Sequence, residues 1–182
     1  KTILAVIGAG HLKGIKAYIK SQLQETKSLE ELESIPASSR WPKFIPWAIV
    51  ALVLIGFSIG FNRAPELGWQ LVIEWVVING GLSAIGALLA NAHPLTIITA
   101  FLAAPLTSLN PTVGAGMVTA ATEAWLRKPR VGDFSTLKSD TGNIGGWWKN
   151  RVSRTLLVFL FSTIGSAAGT YIAGFRIFEQ LT

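Results

Sequence analysis

Long hydrophobic runs separated by short polar stretches extend from residue 44 to the C-terminus, whereas residues 1–43 mix charged and apolar positions as soluble helices do. The clearest run, residues 44–61, contains no charged residue. As a helix it would extend roughly 27 Å, and the hydrocarbon core of a bilayer is about 30 Å thick. We therefore predict a membrane-spanning helix over residues 44–61.

Two further runs have the length of a membrane span. Residues 68–90 follow a short polar loop that contains Asn62 and Glu66, and they predict the return crossing. Residues 155–175 predict a last crossing close to the C-terminus. Three crossings place the two termini of this region on opposite sides of a membrane.

The segment between these spans consists of two shorter apolar pieces, residues 95–109 and 112–126. Asn110 and Pro111 interrupt the pattern between them, and each piece would be roughly 22 Å long as a helix. The pieces are either two short, kinked crossings or a re-entrant hairpin. Both alternatives return the chain to the side that it left, whereas one continuous crossing would not.

The distribution of charge selects among these topologies. Half of the residues are hydrophobic, 14% are charged and the net charge is +6. Seven of the 16 Lys and Arg residues lie in residues 1–43 and seven in residues 127–154. Because basic segments flank membrane spans on the cytoplasmic side, both segments are expected on that side. The spans 44–61 and 68–90 bring the chain back to that side, so residues 95–126 cannot cross the membrane only once. We expect the protein to lie in a prokaryotic inner membrane. The positive-inside rule accounts for the positive charge, so we expect no nucleic-acid partner.

The beginning of the chain has a different character. Residues 2–8 resemble a buried strand and residues 12–24 a helix, but a single strand cannot satisfy its own backbone groups. We expect residues 1–33 to be the last strand–helix unit of an α/β domain whose remainder is missing here, followed by a linker over residues 34–43. The predicted fold is therefore mainly α, a polytopic membrane helical bundle with broken or re-entrant helices after this unit.

Three glycines surround the first histidine in "GAGHLKG". Gly8, Gly10 and Gly14 are spaced one residue too widely for a dinucleotide-binding loop, and no Walker lysine follows them. The remaining interpretation is a strand-to-helix bend that exposes the imidazole of His11. That imidazole is suited to metal binding or general base catalysis, or alternatively to helix capping or packing.

Polar residues within the apolar runs are the second group of candidates: Glu74, Asn79, Asn110 and Glu123. Ionisable groups in hydrocarbon face a bundle interior or water and find a partner. Glu123 precedes Arg127 by one helical turn and predicts an ion pair, and His93 before Pro94 predicts a helix cap. Glu74 is expected to approach the break at Asn110. These groups either join helices together or line a substrate or ion pathway.

Small residues at four-residue spacing indicate close helix packing. Gly56 with Gly60, and Gly165 with Gly169, predict a packed bundle or a homodimer. Gly114 and Gly116, after the break, are also expected to allow close backbone approach, so that leucine at either position would disrupt assembly. Tryptophans near the predicted span ends indicate anchoring in the membrane interface.

The sequence is similar to the TraB/PrgY family of pheromone-shutdown proteins over nearly its whole length, as that family's C-terminal portion. The strings that carry this resemblance are "VIGAGHLKGI", "HPLT", "AAPLTSLNP", "GAGM" and "EAWLRKP". The resemblance implies a missing N-terminal domain related to Tiki-type metalloproteases and erythromycin-esterase-like hydrolases. In that domain, two G-x-x-H motifs and acidic residues would surround a divalent metal ion.

Gly8 and His11 match the second G-x-x-H motif, which makes His11 a catalytic and metal-ligand candidate by resemblance. The first motif and its acidic partners have no counterpart in this sequence. One hypothesis is therefore a membrane-anchored, metal-dependent hydrolase that acts on or sequesters small peptides. The other is a channel, transporter or accessory subunit of a membrane complex without catalysis of its own.

Overall fold

The structure is a computed structural model that describes residues 8–21 and 44–182, which belong to two compact units. In the first unit, a 3₁₀ turn at Ala9–His11 leads into helix α1, Leu12–Ser21. The helix predicted over residues 12–24 is therefore present where it is described. Residues 2–7 of the predicted strand and the whole predicted linker lie outside the described residues.

The second unit contains three long helices: α2, Ile45–Arg63; α3, Pro65–Leu89; and α9, Arg151–Leu181. All three are long and apolar enough to cross a membrane. They correspond to the predicted spans 44–61, 68–90 and 155–175. The described residues are helical with no strand among them, as expected of a mainly α bundle.

The boundaries of these helices differ from the predicted ones for local reasons. The polar loop expected around Asn62 and Glu66 is helical except at Ala64, because Pro65 fits the first turn of α3, where no amide hydrogen is needed. The last helix begins four residues before residue 155. There the side chain of Asn150 accepts hydrogen bonds from the amides of Val152 and Ser153 and caps the helix.

The two shorter helices are α4, Pro94–Thr107, and α5, Ala115–Leu126. Their 14 and 12 residues extend roughly 21 Å and 18 Å. The chain is not helical at residues 110–114, so the break predicted at Asn110 and Pro111 is confirmed. Three short helices follow: α6, Val131–Ser135; α7, Leu137–Asp140; and α8, Gly146–Lys149.

Glycines bring α3 and α9 into close antiparallel contact. A Cβ atom on Gly165 would overlap the carbonyl of Leu82, and one on Gly169 would approach the Cα atom of Asn79. On the facing helix, a Cβ on Gly86 would overlap the carbonyl of Phe161. The close approach predicted for Gly165 and Gly169 is thus confirmed within the chain.

The interior of the bundle has two apolar clusters with a polar layer between them. One cluster includes Ala87, Ala100 and Val158, and the other includes Leu71, Trp75 and Ala173. The fully buried polar residues between them on α3 and α9 are Asn79, Ser83 and Ser162. The middle of the bundle is therefore held together by hydrogen bonds as well as by apolar packing.

The outer surface of the bundle is largely apolar. Large exposed side chains occur on the three long helices and on α4, among them Leu52, Leu88, Leu102 and Phe175, each more than 60% exposed. Soluble proteins rarely expose apolar surface so extensively. Trp47, Trp69 and Trp125 are exposed at helix ends, where an interfacial belt would lie. This surface is consistent with membrane association.

The helix ends fall into two groups. The end of α3, the start of α4, the end of α5 and the start of α9 gather with residues 127–154, and we call this the basic end of the bundle. Trp148 donates to the Leu89 carbonyl at 2.8 Å, and Arg127 donates to the Asn91 carbonyl at 2.9 Å. The turn between α2 and α3 and the C-terminus form the opposite end.

Candidate functional site

Helices α4 and α5 form an antiparallel pair, the α4–α5 hairpin, and Glu123 closes its base. The carboxylate of Glu123 is 1% exposed. Its Oε2 accepts hydrogen bonds from the His93 amide at 2.8 Å and from Thr96 Oγ1 at 2.7 Å. Its Oε1 pairs with Arg127 Nη1 at 3.1 Å. The ion pair predicted from the spacing is confirmed, and it is one part of a larger clamp.

The connection that leads into the hairpin is held by the same clamp. Arg127 also donates to the carbonyl of Asn91, whose φ of 55° lies in the left-handed region that asparagine tolerates. The ring Nδ1 of His93 accepts from the Leu95 amide at 3.2 Å, so the predicted capping role of His93 is confirmed. The two ends of the hairpin therefore cannot separate without breaking several buried bonds.

The tip of the hairpin meets the polar layer in the middle of the bundle. Asn79 is fully buried and donates from Nδ2 to Thr170 at 3.0 Å. Its Oδ1 accepts from Ser108 at 3.0 Å and from Ser166 at 3.1 Å, and the two serine hydroxyls lie 2.9 Å apart. Since Asn79 and Ser166 lie halfway along α3 and α9, the tip ends halfway through the bundle.

Asn110 has a local role and lies outside the network of Asn79. Its Oδ1 accepts from the amide of Thr112 at 3.0 Å and from the hydroxyl of Thr112 at 2.6 Å. This is an Asx turn, which reverses the chain without a helix. Asn110 therefore shapes the tip, and its side chain makes no hydrogen bond to another of the described helices.

A cavity of about 220 Å³ lies beside the tip, between α2, α9 and the break. Its polar lining comes from the hairpin tip and from one face of α9: Thr107, Ser108, Asn110, Thr163, Ser166 and Thr170. Pro46, Ile49 and Val50 of α2 form the apolar side. The cavity has the size and the hydroxyl groups for a small neutral or weakly polar ligand.

Glu74 lies away from the hairpin tip, and the expectation that it approaches the break is wrong. Its carboxylate accepts from Gln180 at 2.9 and 3.0 Å and from Gln70 at 3.1 Å, and Arg176 Nε lies at 3.6 Å. These partners come from its own helix and from the last turns of α9. It is the neighbouring Trp75 that reaches the hairpin, donating to the Pro105 carbonyl at 3.2 Å.

Comparison with known proteins places this helical unit in a family. Residues 41–182 match the family described as TraB family protein, C-terminal domain. The chain belongs to the TraB family. The matched region begins just before α2 and includes the whole hairpin and α9.

Comparison with an individual protein shows how much of a longer relative the chain covers. The chain is 30% identical over 178 residues to an uncharacterized protein of Methanocaldococcus jannaschii, an alignment that covers 93% of the chain and 44% of that protein. The chain thus spans less than half the length of this relative. No solved structure matches the sequence.

The histidine that the TraB resemblance singles out lies in the first unit. His11 ends the 3₁₀ turn, is exposed, and donates its amide to the Gly8 carbonyl at 2.9 Å. Within residues 8–21 and 44–182, no three His, Asp or Glu side chains converge as a metal site requires. The catalytic role of Gly8 and the catalytic and metal-ligand roles of His11 stay predictions.

Most of the hydrogen-bond partners of Glu123 and Asn79 could not be predicted from the sequence. Thr96, Ser108, Ser166 and Thr170 are too common as residue types to attract attention. One signal was available on α9, where Ser162, Ser166 and Thr170 recur every fourth residue beside Gly165 and Gly169. Such a stripe of small and hydroxyl-bearing residues indicates the face that packs against another helix.

Proposed function

We propose that this chain is the membrane module of a TraB-family protein, with α2, α3 and α9 crossing the bilayer and the α4–α5 hairpin re-entering from the basic end. The observation that supports this topology is the length and closure of the hairpin. Its helices are too short for a core of about 30 Å, its base is clamped by Glu123, and its tip contacts Asn79 at mid-depth.

The orientation follows from charge. Residues 127–154 carry seven Lys and Arg residues, whereas Arg63 and Arg176 are the basic residues near the opposite end. By the positive-inside rule the basic end faces the cytoplasm of a prokaryotic cell, with the inner membrane around the bundle. By the same rule, we expect the seven basic residues of 1–43, which precede α2, on the cytoplasmic side.

The function of the module is to hold a metal-dependent hydrolase domain at the membrane, where the whole protein acts on or sequesters small peptides. The resemblance to pheromone-shutdown proteins supports the substrate class. The structure of the bundle favours an anchor over a pathway, because Asn79 and Glu123 have hydrogen-bond partners for both of their polar atoms. A divalent metal would be held by His11 together with ligands from the remainder of the protein.

A second candidate function is a channel, a transporter or an accessory subunit of a membrane complex. The observation that favours it is the cavity of about 220 Å³ beside the hairpin tip, where a broken helix exposes backbone groups. In that case, bulky residues at the cavity would reduce transport while the bundle still assembles. Gly114, which lines the cavity and has nothing within 4 Å of the position of a Cβ atom, is a suitable position for such a variant.

Single-cysteine labelling tests the topology cleanly, because the sequence contains no cysteine. Ser139→Cys, Thr112→Cys and Thr182→Cys place the thiol at the basic end, at the hairpin tip and at the C-terminus. A membrane-impermeant maleimide should label positions 139 and 182 from opposite sides of sealed vesicles. Rapid labelling of position 112 from the side of position 182 would show that the hairpin crosses the membrane and would refute the re-entrant topology.

A further inference from the structure

A cavity of about 680 Å³ lies at the basic end of the bundle, where α5 ends and α9 begins. We call it the basic cavity. Five cationic residues line it together with Trp125 and Leu126: Arg127, Lys128, Lys149, Arg151 and Arg154. Among residues 8–21 and 44–182, no acidic residue lines it. This composition is suited to an anion.

Hydrogen bonds to backbone carbonyls hold the three arginines of the basic cavity in place. Arg127 donates to Asn91 at 2.9 Å, Arg151 to Lys128 at 3.0 Å and Arg154 to Trp148 at 2.7 Å. A carbonyl oxygen orients a guanidinium group but brings no formal charge. The positions of the arginines are therefore fixed while most of their charge is left uncompensated.

One carboxylate pairs with the cations of the basic cavity. In the part of the chain that the structure describes, this is Glu123, which binds Arg127 at 3.1 Å. Glu123 is itself buried and shared with Thr96 and the His93 amide. Four cations thus lie together without a described carboxylate within ion-pair distance, and an anion between them would relieve their mutual repulsion.

The depth of the basic cavity indicates the source of that anion. Trp125 is 72% exposed at the end of an apolar helix, a position typical of the membrane interface, where lipid phosphates lie. On this basis, which rests on the proposed membrane topology, we infer that the basic cavity binds the phosphate of an anionic membrane lipid. Trp125 and Leu126 offer apolar contacts to the glycerol and acyl portions, which inorganic phosphate would not use.

The two lysines allow a test that spares the fold. Lys128 and Lys149 are exposed, and their backbone carbonyls, which bind arginines, survive substitution. Native mass spectrometry with added phosphatidylglycerol measures lipid affinity for the wild type and for Lys128→Gln/Lys149→Gln. We expect the double variant to bind about 25-fold more weakly, since each surface lysine contributes roughly a fivefold factor toward anionic lipid.

The matched control is Arg130→Gln/Lys138→Gln, which removes two exposed basic residues of the same segment that do not line the basic cavity. It should bind phosphatidylglycerol as the wild type does. Equal weakening in both double variants would overturn the inference, because it would indicate general surface attraction. A second comparison adds inorganic phosphate to the protein in neutral lipid. If inorganic phosphate binds as tightly as phosphatidylglycerol does, the cavity binds a soluble anion and the inference is overturned.

Reconstitution separates this inference from the proposed function. The wild type is first inserted into nanodiscs of phosphatidylcholine alone, which tests membrane integration without any anionic lipid. Integration followed by equal affinity for phosphatidylcholine and phosphatidylglycerol would refute the lipid site and leave the membrane topology intact. Failure to enter neutral nanodiscs would refute both.

Discussion

Glu123 and His93 join the two ends of the α4–α5 hairpin, through a hydrogen bond of 2.8 Å from the His93 amide to Glu123 Oε2. The bond links the C-terminal turn of one short helix to the residue that caps the other. Because Arg127 neutralises the same carboxylate, a buried charge is tolerated where the hairpin would otherwise open. This relationship joins the two short helices at the base of the hairpin.

The clamp predicts a large effect of removing the carboxylate. Glu123→Ala leaves Thr96 and the His93 amide without their acceptor and Arg127 without its counter-ion, so we expect destabilisation of about 3–5 kcal/mol. Thermal unfolding of the purified protein in detergent measures the change. The control is Glu66→Gln, an exposed carboxylate at the start of α3, which should shift the midpoint little. Equal midpoints for Glu123→Ala and the wild type would contradict the clamp.

Two glycines near the break should respond differently to the same substitution. A side chain at Gly116 would overlap Thr163 and the Phe159 carbonyl, whereas nothing lies within 4 Å of a Cβ at Gly114. We therefore expect Gly116→Leu to prevent assembly of the bundle and Gly114→Leu to be tolerated. Size-exclusion profiles of the two variants decide the matter. The sequence-based expectation that both positions are crowded is wrong for Gly114.

The polar layer predicts a cost for losing Asn79. Asn79→Leu removes the acceptor that Ser108 and Ser166 share and the donor to Thr170. The three hydroxyls keep hydrogen bonds to backbone carbonyls or to each other, so we expect a total loss of about 1–3 kcal/mol, the cost of one weakened buried polar network. Ile73→Ala, an exposed position on the same helix, serves as the control. If Asn79→Leu unfolds at the wild-type temperature in detergent, the network does not stabilise the bundle.

The basic end contains a group whose ionisation depends on its neighbours. Hydrogen bonds from Asn150 and then Thr136 lower the pKa of Asp140 below its usual 3.8. Because its pKa is depressed, the ionised form of Asp140 is stabilised in the folded state. The ionised carboxylate therefore adds to folding stability above about pH 3.8, and this stability is lost as the pH falls through the pKa of the folded state. Asp140→Asn should reduce the loss of stability between pH 5 and pH 3, measured by thermal unfolding across roughly that range.

Metal binding by the whole TraB-family protein should depend on His11. We expect His11→Gln to lower the bound divalent metal in the full-length protein about tenfold or more, since loss of a first ligand weakens a site at least as much as loss of an outer partner does. Elemental analysis after dialysis measures the content. Lys13→Gln, an exposed neighbour on α1, is the control. Unchanged metal in His11→Gln would remove the histidine from the site.

The local features of this protein could be predicted from its sequence because each depends on residues close together in the chain. Apolar runs of sufficient length predicted α2, α3 and α9, and Asn110 with Pro111 predicted the break. The spacing of Glu123 and Arg127 predicted their ion pair, since residues one turn apart face each other on a helix. These predictions needed no knowledge of which helices are neighbours.

Only the tertiary structure decided which polar groups meet across helices. Asn79 binds Ser108 and Ser166, which lie 29 and 87 residues away, and Glu74 binds Gln180, 106 residues away, although the sequence suggested Asn110 as a neighbour. The rotation of each helix about its axis determines these partners. That rotation is set by close packing at Gly86, Gly165 and Gly169, where backbones touch, and it depends on all helices packing together rather than on any one segment of the chain.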